Sequence, residues 1–323
     1  MNLIENLTDK ESLEMVPARD GFGKGLVEAG EKDERVVALC CDLTESTRTH
    51  WFKEKFPERF IEVGIGEQNM ACIASGMANY GKIPFIASYA AFSPGRNYEQ
   101  IRTTIALSEL PVKIAGAHAG VSVGPDGATH QMLEDVGLMR MLPNMVVVVP
   151  CDAIEARKAT MAIAFNNKPS YIRFGREKSP VFTTEEAPFE IGRAEVLREG
   201  KDVTIIGAGM LLYNALVAAE ELAQEGIEAT VINSHTIKPI DSKTIIDSVE
   251  KTGAVVTVEE HQISGGLASA VSEVLAQNYP VPMEFIGAKD RFGESGDPDE
   301  LIEVFGLDIV SIEKAVKKVI IRK

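Results

Sequence analysis

Two short segments of the sequence carry acidic and basic side chains where chemistry could be done. The segment 62–69 contains Glu67, and the segment 124–131 contains Asp126 and His130. Both segments lie at predicted ends of strands or helices, where α/β folds usually place their catalytic groups. The pattern therefore favours an enzyme.

Glu67 lies in a predicted turn between a strand and a helix. Residues 59–63 predict a strand, Gly64 and Gly66 end it, and residues 69–78 predict an apolar helix of small residues. We expect this helix to be buried on most of its surface, because it has hardly any charge, and a carboxylate beside it to be partly desolvated. Such a carboxylate can transfer protons. The alternative is an acid that only complements the helix dipole.

A glycine-rich loop follows the predicted strand 112–115 and holds His118, Asp126 and His130. Its glycines and a proline predict a fixed, exposed loop with sharp turns. Two imidazoles and a carboxylate can hydrogen-bond a polyhydroxylated substrate and exchange protons near neutral pH. The alternatives are a helix N-terminal histidine, a turn-forming aspartate, or a metal site, which the spacing supports only weakly.

Composition limits the possible classes of function. The chain has 323 residues, of which 45% are hydrophobic and 25% charged, as in a protein of about two domains. The net charge of -15 argues against nucleic acid or an anionic membrane as the main partner, so any substrate phosphate must be held by local arginines. Four cysteines without metal-ligand spacing, no signal-peptide pattern and no membrane-length apolar segment predict a cytoplasmic protein.

Short β-branched runs alternate with helical segments along the chain, which predicts two doubly wound α/β domains with mainly parallel sheets. The predicted strands are 36–39, 84–87, 112–115, 145–149, 171–173, 203–206, 229–232, 255–258 and 283–286. The predicted helices are 97–110, 131–142, 153–166, 212–224, 242–249 and 265–276. The segment 177–188 contains two prolines and an acidic pair and is interpreted as the linker between the domains.

Gly207 and Gly209 lie between a predicted strand and a predicted helix, as in a dinucleotide-binding fingerprint. Position 212 is a leucine where the third glycine belongs, and no acidic residue closes the next strand. We therefore expect a tight turn here and no NAD site.

Several motifs occur together in one order and resemble the C-terminal half of transketolase. They lie at residues 41–46, 64–69, 87–92, 118–131, 143–145 and 171–173. The most specific is the Gly-x-Asp-Gly-x-Thr-His-Gln loop at 124–131. The resemblance implies a pyrimidine-binding domain at about 10–180 and a smaller transketolase C-terminal domain at about 190–323.

Transketolases use thiamine diphosphate, and the resemblance implies which residues hold it. Glu67 is implied to hydrogen-bond the ring nitrogen of the cofactor's aminopyrimidine, with Tyr89 and Phe92 packed beside that ring. For the two aromatic residues, ordinary core packing is the alternative. Asp42 is implied to lie near the cofactor at a subunit contact. A third aromatic residue of the family aligns with Gly95.

The resemblance also implies substrate contacts. Asp126 resembles the residue that reads the sugar hydroxyl next to the reacting carbonyl. His118 and His130 resemble the flanking imidazoles, and His130, with Glu67, is implied to be catalytic. The residues that resemble the holders of the substrate's terminal phosphate are Arg19, Ser46 and Arg173, and a guanidinium fork suits that anion.

No Gly-Asp-Gly sequence occurs in the chain, although the family holds the diphosphate and its metal through that motif. The resemblance therefore implies a split transketolase. A separate N-terminal subunit would supply the diphosphate site and Mg²⁺ or Ca²⁺, with no metal ligand in this chain, and two copies of each subunit would form an α2β2 heterotetramer. Together they would transfer a two-carbon ketol unit between sugar phosphates of the pentose phosphate pathway.

Other functions remain open. A β subunit of a 2-oxo acid dehydrogenase E1 component shares the domain layout, and a synthase joining pyruvate to glyceraldehyde phosphate has a related fold in one longer chain. Gln68 replaces a family histidine beside Glu67, so a transketolase of sulfonated or branched sugars is a further alternative. The chain could also be a non-catalytic assembly subunit. His261 is expected to have a structural or assembly role.

Overall fold

The computed structural model describes residues 2–9 and 12–323, so residue 10, where the first predicted domain begins, lies outside the described part. The strands in this part are β1 (Met15–Pro17), β2 (Val36–Cys40), β3 (Phe60–Glu62), β4 (Ile83–Tyr89), β5 (Lys113–Ala117), β6 (Val146–Val148), β7 (Ser170–Arg173), β8 (Lys178–Pro180), β9 (Glu195–Arg198), β10 (Val203–Gly207), β11 (Ala229–Asn233), β12 (Thr236–Lys238), β13 (Val255–Gln262) and β14 (Met283–Ala288).

The α-helices are α1 (Ala18–Lys32), α2 (Thr44–Thr47), α3 (Thr49–Lys55), α4 (Glu67–Asn79), α5 (Tyr98–Gln100), α6 (Asp135–Met141), α7 (Ala153–Ala164), α8 (Leu212–Gln224), α9 (Ser242–Thr252), α10 (Leu267–Asn278), α11 (Pro298–Val304) and α12 (Ile309–Ile320). A π-helical turn, Ile101–Ala106, continues α5, and 3-10 turns lie at Pro57–Arg59 and Val121–Asp126. Within the described ranges, no helix is both long and apolar enough to span a membrane.

The larger sheet has the strand order β12-β6-β7-β5-β4-β2-β3. Its strands run parallel, except that β12 pairs antiparallel with β6. Strand β2 shows why both faces are covered: Val37 and Leu39 pack in one core cluster with Met70, and Ala38 packs in another with Phe22. Both faces of the sheet are therefore covered, and its parallel strands end together at one carboxyl-terminal edge, where the loops that follow them meet.

The smaller sheet has the order β14-β13-β10-β11-β9 and is parallel apart from β9. The predicted α/β fold with two mainly parallel sheets is thus confirmed. Strand β12 was not predicted. It comes from the later half of the chain, yet it extends the larger sheet.

Helix α4 has one buried side and one exposed side, so the prediction that it is buried on most of its surface is wrong for this chain. Met70, Ala71 and Ala74 are buried. Exposed positions in or next to this helix are Gln68, Asn69, Cys72, Gly76, Asn79 and Tyr80. The physical reason is that small or uncharged polar side chains present little apolar area, so the absence of charge does not require burial.

Two predicted boundaries differ from the structure. The helix predicted at 131–142 begins only at Asp135. Met132 forms an isolated β-bridge with Ala119, and the side-chain amide of Gln131 donates to a backbone carbonyl, so this segment is not helical. The predicted linker 177–188 contains β8, which pairs with β1, and it includes the buried Phe182. The linker segment is therefore packed against the rest of the chain.

The glycine turn after β10 has the predicted geometry. Gly209 adopts a φ of 71°, a left-handed conformation that favours glycine. A side chain at Gly207 would come within 2.8 Å of Leu212, so the missing Cβ lets α8 pack close to the sheet.

Candidate active site

The candidate site lies at the carboxyl edge of the larger sheet. Tyr89 ends β4, His118 follows β5, and their rings stack with centroids 3.9 Å apart. Phe92 lies 5.9 Å from Tyr89 at 17° between planes, and His130 meets Phe92 edge-on at 5.4 Å. The structure thus brings together four rings that the sequence distributes over 42 positions, from 89 to 130.

Glu67 is the first residue of α4 and only 2% exposed. Its Oε2 lies 2.7 Å from Nη1 of Arg96, and its backbone carbonyl accepts a hydrogen bond from Asn97 Nδ2 at 3.0 Å. The Arg96 guanidinium also lies 4.5 Å from the centre of the Phe92 ring. Sequence reasoning missed Arg96, since nothing in the local pattern distinguishes it from a surface arginine.

His118 is buried, has a left-handed φ of 52°, and its Nδ1 has no hydrogen-bond partner among the described residues. Burial, reinforced by Arg19 and Arg176, lowers the pKa of His118 to about 3. The imidazole is therefore neutral near pH 7, and its buried Nδ1 is left without a partner in the described part of the chain.

The prediction of an exposed loop is wrong for residues 118–124, which are buried because Val121 and Val123 pack inward; only Pro125, Asp126, Ala128 and Thr129 of this loop are exposed. Gly124 has a φ of 77°, which reverses the backbone between two short 3-10 turns. Beyond it, the Asp126 carboxylate lies 3.6 Å from Arg176 Nη1, and His130 Nδ1 lies 2.9 Å from the Thr129 hydroxyl. Asp126 is exposed and His130 half-buried, so both are accessible to a substrate.

A cavity of about 480 Å³ is lined by four cationic side chains, Arg19, Arg48, Arg176 and Lys178, and by four carboxylates, Asp20, Glu177, Asp297 and Asp299. Arg19 Nη1 donates to the backbone carbonyl of Ser46 at 3.1 Å, and the Tyr89 hydroxyl donates to Ser46 Oγ at 3.2 Å. Burial, followed by the charge of Arg48, lowers the pKa of Arg19. Arg48 pairs with Asp20, and Arg176 lies 3.6 Å from Asp126 and 3.4 Å from Glu177. Guanidinium groups suit an anionic group of a ligand, which would replace these carboxylates as their partner.

Arg173 does not join this group. It lies in β7, almost fully buried, with its Nε 3.0 Å from Asp135 Oδ2 and its Nη2 donating to the Glu260 carbonyl at 2.6 Å. Arg176 lies in the cavity instead, and sequence reasoning missed it. The available signal was position, because Arg176 comes after the end of the strand whereas Arg173 lies within it.

Asp42 follows β2 at the same edge, exposed and with a positive φ of 57°. Its backbone N–H donates to Glu62 Oε1 at 2.8 Å. In the parts of the chain that the structure describes, no group of three or more His, Cys, Asp or Glu side chains is placed to hold a metal ion.

Comparison with known proteins relates the whole chain to one family. The family model of the transketolase pyrimidine-binding domain matches residues 14–181, and that of the transketolase C-terminal domain matches residues 192–312. A Methanocaldococcus jannaschii protein, provisionally named a transketolase C-terminal section, is 45% identical over 92% of this chain and 94% of its own length.

Two further relatives are similar over nearly their full length. The 6-deoxy-6-sulfo-D-fructose transketolase subunit SqwH of Clostridium sp. (strain MSTE9) is 42% identical over 94% of this chain and 95% of its own. A solved split gene transketolase, described as an inactive beta4 tetramer, superposes with a TM-score of 0.90 at 45% identity over 95% of this chain and 99% of its own. The chain therefore belongs to the transketolase family.

Proposed function

We propose that this chain is the C-terminal subunit of a split transketolase, which transfers a two-carbon ketol unit from a ketose phosphate to an aldose phosphate. The observation that carries the proposal is the meeting of a buried carboxylate, an aromatic pair and an imidazole-bearing loop beside an arginine-lined cavity. We assign the two domains to residues 10–180 and 190–323.

The residues around Glu67 fit the pyrimidine half of thiamine diphosphate. A flat heterocycle can pack against Phe92 and Tyr89, and a buried carboxyl can exchange a proton with a ring nitrogen. When bound, the cofactor supplies the nucleophilic carbon and the electron sink that cleavage of the ketose requires. In this proposal Glu67 orients the ring and holds the proton, and the aromatic rings exclude water.

The loop residues would bind the sugar. Asp126 would accept hydrogen bonds from a hydroxyl group near the reacting carbonyl. Its carboxylate is exposed and lies 3.6 Å from Arg176 Nη1. His118 is neutral at pH 7, so its ring can both donate and accept a hydrogen bond, as contact with a hydroxyl group requires. His130 would hold or move a proton at the same end of the substrate.

The substrate's terminal phosphate would lie in the arginine-lined cavity. Arg19 and Arg176 supply the charge, and the Ser46 hydroxyl, already engaged by Tyr89, supplies a neutral hydrogen-bonding group. The family resemblance implied this role for Arg173, but the Arg173 guanidinium is buried in an ion pair with Asp135. We therefore propose Arg176 in its place.

The remainder of the active site would belong to a partner. The chain has no Gly-Asp-Gly motif. We therefore propose that an N-terminal subunit holds the diphosphate and Mg²⁺ or Ca²⁺, that Asp42 lies near that contact, and that the assembly is a cytoplasmic α2β2 heterotetramer.

Calorimetry tests the proposal directly. Thiamine diphosphate with Mg²⁺ is titrated into this chain alone, and then into its mixture with the candidate N-terminal subunit. Tight binding in the mixture only, together with turnover of xylulose 5-phosphate and ribose 5-phosphate, is the expected result. Tight binding by the chain alone contradicts the split site, and turnover of 2-oxo acids instead would favour the dehydrogenase function.

A sulfonated sugar is the second candidate substrate, because the SqwH relative is named as a 6-deoxy-6-sulfo-D-fructose transketolase subunit. Guanidinium groups can bind a sulfonate as they bind a phosphate, although a sulfonate carries less charge. The ratio of kcat/KM for 6-deoxy-6-sulfo-D-fructose and for fructose 6-phosphate distinguishes the two. A ratio above one would favour the sulfonated sugar.

A further inference from the structure

The loop that carries His118, Asp126 and His130 is tied to the smaller sheet. The backbone N–H of Ser122 donates to Oε1 of Glu260, a residue of β13, at 2.7 Å. Since Ser122 lies four residues after His118 and four before Asp126, this bond holds the middle of the loop.

Glu260 is in direct contact with the loop backbone. It is 3% exposed, and a Cβ added to Gly120 would lie only 2.2 Å from its Cδ. Its own backbone carbonyl accepts a hydrogen bond from Arg173, which is fixed in turn by Asp135. Arg173 therefore fixes the backbone of Glu260, while the Glu260 carboxylate contacts the loop.

A second set of hydrogen bonds joins the end of the loop to the C-terminal half of the chain. The Gln131 amide donates to the backbone carbonyls of Val121 and Gly124 at 3.1 Å each, and to that of Glu294 at 2.9 Å. The amide thus closes the loop on itself and anchors it to the segment that follows β14. Gln131 is buried, so solvent does not compete for these bonds.

We infer that Glu260 is a positioning residue for the proposed reaction: through Ser122 it holds the substrate-binding loop in the geometry that places His118 and His130 beside the Tyr89 ring and Asp126 beside Arg176. The inference rests on the proposed function. Gly120, Gly124 and Gly127 adopt positive φ and impose few steric limits of their own, so contacts such as the Ser122–Glu260 bond are needed to fix the loop. A displacement of about 1 Å in a catalytic group can cost about 100-fold in rate. The smaller sheet would then contribute to catalysis without touching the substrate.

Glu259 is a matched control. It precedes Glu260 in β13 and is equally buried, at 4% against 3%. Its carboxylate accepts hydrogen bonds from the backbone of Leu267 and Ala268 at the start of α10, away from the loop. Glu259→Ala and Glu260→Ala therefore both remove a buried carboxylate, but only the second change removes a contact with the loop.

The experiment uses the complex reconstituted with the N-terminal subunit. We expect Glu260→Ala to lower kcat/KM for the ketose phosphate about 10- to 100-fold and to leave the affinity for thiamine diphosphate within twofold. Glu260→Gln keeps an acceptor oxygen for Ser122 and should recover a large part of the activity. Glu259→Ala should lower the melting temperature and keep kcat/KM within threefold. Equal losses of kcat/KM in the two alanine variants would overturn the inference.

Hydrogen–deuterium exchange of the full chain gives a readout that does not depend on activity. Amides of residues 118–131 should exchange faster in Glu260→Ala than in wild type or Glu259→Ala, and unchanged exchange would overturn the inference. An inactive wild-type complex in which Glu260→Ala still loosens the loop would count against the proposed function only.

If Glu260→Ala fails to fold, Glu260→Met retains most of the side-chain volume and still removes the acceptor of the Ser122 N–H. Faster exchange in 118–131 with a several-fold lower kcat/KM is then the expected result. A protected loop and unchanged kcat/KM would overturn the inference.

Discussion

Arg96 Nη1 lies 2.7 Å from Glu67 Oε2, so the buried carboxylate of the candidate site is paired with a guanidinium group whose side chain is 46% exposed. The same guanidinium lies over the Phe92 ring. A pyrimidine that stacked on Phe92 and bonded to Glu67 would need that space. We therefore expect Arg96 to leave the carboxylate when the cofactor binds.

Replacing Arg96 should weaken the chain in the absence of cofactor. Arg96→Gln leaves Glu67 buried without its cation, and we expect the free energy of unfolding to fall by about 1–2 kcal/mol. This is less than for a fully buried pair, because solvent screens the exposed arginine. Urea denaturation of the free chain measures the change.

The control is Arg193→Gln, which removes an arginine from the exposed pair with Glu190. It should leave the free energy of unfolding nearly unchanged. If Arg96→Gln behaves like this control, then Arg96 is not what compensates Glu67.

Glu67→Gln should abolish most of the activity. An amide cannot exchange the proton that the proposal assigns to this carboxyl, and general acid–base groups typically contribute about 100- to 10,000-fold. Steady-state turnover of the reconstituted complex measures the loss, with the exposed Glu58→Gln as the control. A Glu67→Gln complex with wild-type turnover would contradict the catalytic role.

Arg176 and Arg173 should respond to substitution in opposite ways. We expect Arg176→Ala to raise KM for a phosphorylated sugar about 10- to 100-fold, since a hydrogen bond to a charged group contributes about 1.5–3 kcal/mol, with little effect on folding. Arg173→Ala should lower the free energy of unfolding by about 3–5 kcal/mol, because it leaves Asp135 buried without its cation.

A ketose donor without a phosphate provides the control, because its KM should not change in Arg176→Ala. Arg173→Ala with normal stability and a raised KM for phosphorylated sugars would restore the phosphate-binding role to Arg173.

Because the pKa of His118 is lowered in the folded chain, we expect the free energy of unfolding to fall in acid. The folded-state pKa is about 3, below the ordinary value of 6.5. Between these values the unfolded chain binds a proton that the folded chain does not, so the free energy of unfolding falls as pH falls from 6.5 toward 3. The slope for one proton is at most about 1.4 kcal/mol per pH unit.

His118→Asn removes this contribution, so its free energy of unfolding should depend less steeply on pH than that of wild type. Urea denaturation at several pH values between 7 and 4 measures both slopes. His235→Asn should show a change of the same sign, because burial lowers the pKa of His235 to about 4. Identical slopes for wild type and His118→Asn would contradict the prediction.

The sequence by itself determined the class of fold and the end of the sheet at which the candidate residues lie. Apolar periodicity is local, so the sequence directly predicts the alternation of strands and helices. Because that alternation implies parallel strands, it also implies that their carboxyl ends lie at one edge of the sheet. Glu67, Tyr89 and His118 follow or end such strands, and the structure places them at that edge. Their chemical roles stay predictions.

Only the tertiary structure decided which side chains meet there. Three contacts join residues that lie 29 to 138 positions apart in the sequence: Arg96 with Glu67, Arg173 with Asp135, and Ser122 with Glu260. Local periodicity does not encode these contacts, because they depend on the packing of whole elements and on rotamer choice. For the same reason, the sequence predicted neither the exposed side of α4 nor the extension of the larger sheet by β12.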